Sequence, residues 1–207
     1  MIKKIHVGIV DLRINNLYTI LRSLKNLNYK VSIANNYKKF NFDVLIIPGT
    51  GCFSKAMKTL KKEKLDVKIY DFYQSNKLIL GICLGMQLLF EKSEEFGNNK
   101  GLSLIEGEVK RIPRKKCFNI PHTRWNSVKV KNALIKDLFE SKKNNYYFVH
   151  SYYCLPKNLK DVAGNTKYDK LDFCSTVFKN KLIGTQFHPE KSGDSGVKFF
   201  KNLKKYI

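Results

Sequence analysis

The feature that most limits what this chain can fold into is an alternation in its first half. Short apolar runs end abruptly and are separated by stretches with helical spacing. His6-Val-Gly-Ile-Val-Asp11 reads as a short buried strand, after which Leu17, Ile20, Leu21, Leu24 and Leu27 recur at helical spacing. Residues 31–34 and 43–47 follow as strands, the second stopped by Pro48-Gly49. A polar helical region over 53–75 leads to the apolar run 77–82, and 84–91 has helix-forming composition. Such alternation predicts an α/β fold, a mostly parallel sheet flanked by helices.

The second half is richer in strand patterns. Residues 146–153 are strongly β-forming. Residues 173–178, a turn at Lys179-Asn180 and residues 182–187 read as a hairpin, and 195–203 as a closing helix. These predict an antiparallel extension of the sheet. With 207 residues and no internal repeat, low-complexity tract or linker, a single domain over 1–207 is expected.

Composition narrows the function classes. A hydrophobic fraction of 43% argues against wholesale disorder. No apolar run approaches the roughly 20 residues of a membrane span. The first seven residues lack the shape of a signal peptide, and five widely spaced cysteines point to a reducing cytoplasm. The net charge of +22 invites a nucleic-acid reading, but only five of the 39 basic residues are Arg, the side chain that bidentate phosphate and base contacts favour. Lys and Asn rising together mark a genome-wide codon bias, and the basic residues are scattered. No nucleic-acid or membrane partner is expected.

Three local patterns carry chemistry. Gly81-Ile-Cys83-Leu-Gly85-Met-Gln87 sits where an apolar strand meets a helix. A strand-to-helix turn this tight leaves no room for Cβ atoms beside the nucleophile, which is the use of the flanking glycines. The turn puts the sulfur at the carboxyl end of the sheet, where α/β folds bind ligands, and the helix amino terminus beyond it favours the thiolate. The plainer alternative is that Cys83 is a small buried apolar residue.

The second pattern, Gly184-Thr-Gln-Phe-His188-Pro-Glu190, ends an apolar strand. A cysteine nucleophile needs a base within hydrogen-bond reach and a third group to orient that base, roles that His188 and Glu190 can fill. A functionless surface His-x-Glu pair is the alternative. No Cys or His stands at zinc-type spacing around His188, so neither a metal nor another cofactor is expected. The third pattern, Pro48-Gly-Thr50-Gly51, follows a strand and can turn backbone N–H groups towards a ligand. Acyl transfer needs two such donors where oxyanion charge develops. The Leu84 N–H and one from Thr50–Gly51 are the candidates.

Jointly these motifs make the chain resemble the triad-type class I glutamine amidotransferases. More narrowly, it resembles the glutaminase subunit of imidazole glycerol phosphate synthase in histidine biosynthesis. The resemblance spans nearly the whole length and rests also on Ile105-Glu-Gly-Glu108, Pro121-His122 with Trp125-Asn126, Tyr147-Phe-Val-His-Ser-Tyr152 and Gln186-Phe-His-Pro-Glu-Lys-Ser192. It implies a class I glutamine amidotransferase-like (flavodoxin-like) fold and an enzyme in which Cys83, His188 and Glu190 release ammonia from glutamine. It further implies that Gln87 and Glu95 bind the amino-acid end of glutamine and that His150, Ser151 and Tyr152 line the same pocket. Ammonia would pass to a (β/α)₈-barrel synthase subunit in a heterodimer. Asn16, Trp125, Asn126 and Tyr147 match family positions near the docking face, and Arg124 is expected on the same face. Trp125 could as well be a core residue by composition.

Two segments depart from the family pattern. Asp11-Leu-Arg13-Ile-Asn-Asn16 stands for Asp-Tyr-Gly-x-Gly-Asn, and Thr123-Arg124 replace Met-Gly in Pro-His-Met-Gly-Trp-Asn. Both lie on the side implied to face the synthase, which leaves open a paralogous ammonia donor for sugar amidation in surface polysaccharide biosynthesis. Thr50 replaces the usual Val, but its backbone can serve equally.

Overall fold

The computed structural model describes residues 4–14, 17–114, 119–139 and 144–207, so Asn16 lies outside the described residues. Strand β1 (His6–Ile9), helix α1 (Tyr18–Asn26), β2 (Lys30–Ile33) and β3 (Val44–Gly49) precede α2 (Phe53–Lys62), α3 (Leu65–Gln74) and β4 (Leu78–Cys83). A short α4 (Leu84–Leu88) leads to β5 (Phe90–Ser93), β6 (Asn99–Lys100) and β7 (Ile105–Arg111). The rest comprises β8 (His122–Ser127), β9 (Lys129–Val130), β10 (Asn145–His150), β11 (Tyr152–Pro156), β12 (Val162–Tyr168), β13 (Leu171–Lys179), β14 (Leu182–Thr185) and α5 (Gly193–Leu203).

The main sheet runs β2-β1-β3-β4-β14-β13-β11-β7-β5-β6, with β12 and β9 branching from β13. Its first five strands are parallel, and β13, β11 and β7 continue it antiparallel. This is the expected architecture. Every residue of β3 and β4 is buried, as parallel strands covered on both faces must be. Alternation along β3 sends Val44 and Ile46 to one apolar layer with Leu24 of α1 and Phe199 of α5. Leu45 and Ile47 go to the other, with Leu60 of α2 and Ile69 of α3.

Four expectations about elements need revision. The helical region 53–75 is two helices, broken at Lys64 in a left-handed conformation. The buried stripes explain the break: Phe53, Ala56, Met57 and Leu60 share one face, but Leu65, Ile69 and Phe72 would fall off it in a continuous helix. The helix expected over 84–91 stops at Leu88, because the carbonyls of Leu88 and Leu89 are taken by the amides of Leu102 and Leu104 (2.8 and 2.9 Å) and Phe90 pairs with Ile105. The hairpin turn is one residue later than expected, with Lys179 paired to Leu182 and Asn180 at φ 54°. Finally, residues 146–153 are not one strand. The chain breaks at Ser151, so that β10 pairs with β8 in a separate two-stranded sheet while β11 joins the main sheet beside β7.

Candidate active site

Three adjacent strand ends converge. In the parallel register Gly49 of β3 lies opposite Cys83 of β4, and Ile82 opposite Thr185 of β14. Neighbouring strands are about 4.8 Å apart, so residues just past these ends fall within side-chain reach despite their separation in sequence. Thr50–Gly51, Cys83–Leu84 and His188 are those residues.

Cys83 occupies a strained conformation (φ 53°, ψ −108°) at the junction of β4 and α4 and is 5% exposed. The flanking glycines are sterically required. A Cβ on Gly85 would lie 1.6 Å from the Ile47 carbonyl oxygen, and one on Gly81 would lie 2.7 Å from that of Gly85. The helix beyond is five residues long, so the bend and its backbone amides, not a long helix dipole, set the sulfur's environment. The thiol lies 3.8 Å from the Val149 carbonyl oxygen, and Nε2 of Gln186 approaches the sulfur at 3.5 Å.

His188 follows β14 and is 1% exposed. Its Nδ1 donates to Oε1 of Glu190 at 2.7 Å, which leaves Nε2 buried without a hydrogen-bond partner. Burial acts to lower the imidazole pKa, but the Cys83 sulfur and the Glu190 carboxylate together outweigh it and push the value up to about 10. Pro189 opens a short 3₁₀ turn that brings Glu190 back to the Nδ1 edge of the ring. The backbone is fixed too: the His188 amide donates to the Tyr147 carbonyl at 2.9 Å, and Ser192 Oγ donates to the His188 carbonyl.

A cavity of about 410 Å³ opens onto Cys83, walled by Thr50, Gly51, Leu84, Gln87, Glu95 and the 149–152 turn. Glu95 is half-buried within it and accepts the Phe53 amide; burial raises its carboxyl pKa, against the pull of that hydrogen bond. Gln87 and His150 line the cavity, yet Gln87 Nε2 and both ring nitrogens of His150 are committed internally. Gln87 Nε2 donates to the Tyr152 carbonyl and to Oε1 of Gln186, each at 3.1 Å. His150 Nδ1 donates to the same Tyr152 carbonyl at 2.8 Å. Gln186, Phe96, Arg111 and Val149 were not singled out as site residues from sequence. For Gln186 a signal existed: it stands two residues before His188 in an extended segment and so shares its side. A second cavity of about 250 Å³ lies behind the imidazole, lined by Thr50, His188, Glu190 and Lys191 among others. Among the described residues no three His, Cys, Asp or Glu side chains gather as a metal ion would require.

Of the residues expected on a docking face, Arg124, Trp125, Asn126 and Tyr147 sit together on the β8–β10 sheet. Trp125 is 50% exposed rather than a core residue and packs edge-on against Tyr147, their centroids 6.2 Å apart. Arg124 places its guanidinium 5.0 Å from the Tyr168 ring centre. In the other departing segment, Arg13 stands in the left-handed region (φ 59°) where the family pattern has glycine. Its guanidinium bridges Asp11 and Glu63 at 3.2 and 3.3 Å.

Comparison with known proteins agrees with this geometry. The family model for glutamine amidotransferase class-I matches residues 8–204. The chain is 41% identical over 206 residues to the imidazole glycerol phosphate synthase subunit HisH of Sulfurimonas denitrificans, covering 97% of this chain and 98% of that one. It is 40% identical over 205 residues to the HisH of Wolinella succinogenes, covering 95% and 98%. In three dimensions it resembles the structure of PurLQS from Thermotoga maritima, with a TM-score of 0.78 at 19% identity and 99% of each chain covered, a likeness of fold. With relatives of this name at such identity, the sugar-amidation alternative is not favoured. The chain belongs to the class-I glutamine amidotransferase family and, within it, to the HisH subunits of imidazole glycerol phosphate synthase.

Proposed function

We propose that this chain, as the glutaminase subunit of imidazole glycerol phosphate synthase, hydrolyses glutamine to glutamate and ammonia through a thioester on Cys83. The ammonia passes to a (β/α)₈-barrel synthase subunit for histidine biosynthesis. One observation carries the assignment of roles: His188 has Nδ1 committed to Glu190 and Nε2 buried beside the Cys83 sulfur with no competing partner.

At neutral pH a His188 whose pKa lies near 10 is an imidazolium, ready to face a thiolate. The sulfur attacks the carboxamide carbon, forming the C–S bond and moving charge onto the carbonyl oxygen. The N–H of Leu84 and one from Thr50–Gly51 receive that charge. As the C–N bond breaks, the Nε2 proton goes to the departing nitrogen and ammonia leaves. The neutral imidazole then takes a proton from water, whose oxygen attacks the thioester; the C–S bond breaks and glutamate is released. Glu190 keeps the imidazole oriented throughout. Glu95 suits the α-ammonium of glutamine, and the Ser151 and Tyr152 amides suit its α-carboxylate. Gln87 and His150 act as the wall behind them, since Gln87 Nε2 and both ring nitrogens of His150 are already bonded.

Arg124, Trp125, Asn126 and Tyr147, beside the triad, form the docking face for the synthase, an exposed Trp being a common interface anchor. A single domain working in the cytoplasm fits the continuous main sheet and the free thiols of Cys52, Cys83, Cys154 and Cys174. The test is inactivation by a glutamine-mimicking diazoketone. Labelling confined to Cys83, with glutaminase activity abolished in Cys83→Ala but ammonia-dependent synthesis by the assembled enzyme retained, is the expected result. Labelling elsewhere overturns the assignment.

A further inference from the structure

Behind the cavity lies a buried histidine pair that the mechanism above does not use. Nδ1 of His122 stands 3.0 Å from Nε2 of His150. His122 is wholly buried, stacked on Tyr168 with centroids 4.1 Å apart and planes inclined by 26°. The hydrogen-bond directions are set by the Tyr152 carbonyl. His150 Nδ1 faces the Tyr152 carbonyl, an acceptor only, so it carries the proton and Nε2 must accept. His122 Nδ1 therefore donates, and its Nε2 accepts from Asn126 Nδ2, at 3.5 Å the longest link. Both rings stay neutral: burial, aided by Arg124 for His122 and by His122 for His150, lowers their pKa values to about 4 and about 3.

The sequence of bonds does not stop at the Tyr152 carbonyl. That oxygen also accepts one N–H of Gln87, whose other N–H goes to Oε1 of Gln186. With its oxygen so occupied, Gln186 turns its own N–H towards the Cys83 sulfur. Each amide and each imidazole thus has one orientation that satisfies every partner, and reversing any one leaves two donors or two acceptors face to face.

We propose that His122 is a positioning residue: by donating to His150 it holds the ring whose Nδ1 sets the place of the Tyr152 carbonyl, and through Gln87 and Gln186 the place of the N–H that faces the Cys83 sulfur. An N–H donor on the sulfur supports the nucleophile with a charge-assisted hydrogen bond, so the pair tunes it without touching glutamine. The outer end of the network is Asn126, next to the exposed Trp125. The inference rests on the glutaminase reading only for its activity readout.

The test compares His122→Phe, which keeps an aromatic ring but has no Nδ1, with His122→Asn, whose amide can place a donor near the Nδ1 position. In the full-length chain, His122→Phe is expected to slow alkylation of Cys83 by iodoacetamide at pH 7 by about tenfold, the effect of weakening one hydrogen bond to a charged group. Glutaminase kcat/KM should fall in proportion, and His122→Asn should recover most of both. A merely structural role predicts a lowered melting temperature with alkylation unchanged in the folded fraction, and that result overturns the proposal. So does an Asn variant as impaired as Phe. Should neither variant fold, ¹⁵N imidazole shifts of the unmodified chain decide: His150 protonated at Nδ1 supports the relay, and protonated at Nε2 excludes it. Absent glutaminase activity in every form would count against the function proposed above, while alkylation and the tautomer still judge the relay.

Discussion

The nucleophile bend and the Asp11–Ile14 loop handle backbone strain in opposite ways. At the bend there is no slack: any side chain at position 85 meets the Ile47 carbonyl, so only glycine fits. In the loop, Arg13 takes a left-handed conformation that costs an L-residue roughly 1–2 kcal/mol, and offsets it with two partly exposed ion pairs to Asp11 and Glu63. Buried strain restricts the residue type, whereas surface strain can be met by any side chain with suitable partners. That is why the bend keeps its glycines while this loop departs from the family pattern.

The contrast can be broken first at the bend. Gly85→Ala should destabilise the fold by more than about 4 kcal/mol, measured by urea denaturation, because the clash is with backbone that cannot yield. Gly97→Ala, at φ 111° with no atom within 4 Å of the new Cβ, should cost only about 1 kcal/mol. Equal effects would sink the argument from crowding. Next, Glu190→Gln keeps the shape of the triad but removes the charge that orients His188, and kcat should drop by about a thousandfold with KM little changed.

A smaller effect concerns pH. His188 rises from an unfolded value of 6.5 to about 10 on folding. The folded state therefore binds the proton more tightly, and this contribution to stability is complete below about pH 6.5 and lost as pH climbs through 10. His122 and His150 have the opposite sign: lowered on folding to about 4 and 3, they make stability fall as pH drops below 6.5. Melting temperatures from pH 4 to 10 should decline on both sides, and Cys83→Ala should flatten the alkaline side by removing one cause of the His188 shift. The smallest expected effect returns to the loop. Arg13→Ala should cost about 1 kcal/mol, since it keeps the strain and loses both ion pairs, whereas Arg13→Gly, which loses the strain as well, should stay within about 0.5 kcal/mol of the native chain.

Much of the site could be read before any coordinates because its parts are local. The Gly81–Gly85 spacing, the strand ending in His188-Pro189-Glu190 and the Pro48–Gly51 turn each announce themselves within a few residues. What could not be read depended on partners distant in the chain. The wall of the cavity exists because the chain breaks at Ser151, a break that an unbroken run of β-forming residues conceals. It arises because His150 finds His122 in one sheet while Tyr152 finds Arg111 in another. Gln87, given a role at the substrate on the strength of resemblance, has its N–H groups spent on the Tyr152 carbonyl and Gln186.

The amino-acid sequence by itself determined the α/β class, the mostly parallel pairing of its apolar strands and the identity of the nucleophile's bend, because these follow from periodicity and from the absence of Cβ atoms. Only the tertiary structure decided that residues 83 and 188 share one corner, that the two halves of the 146–153 run part company, and that two neutral histidines stand behind the sulfur. Those facts depend on strand register and on which polar groups are left to satisfy one another once water is excluded, and neither is written in any short stretch of chain.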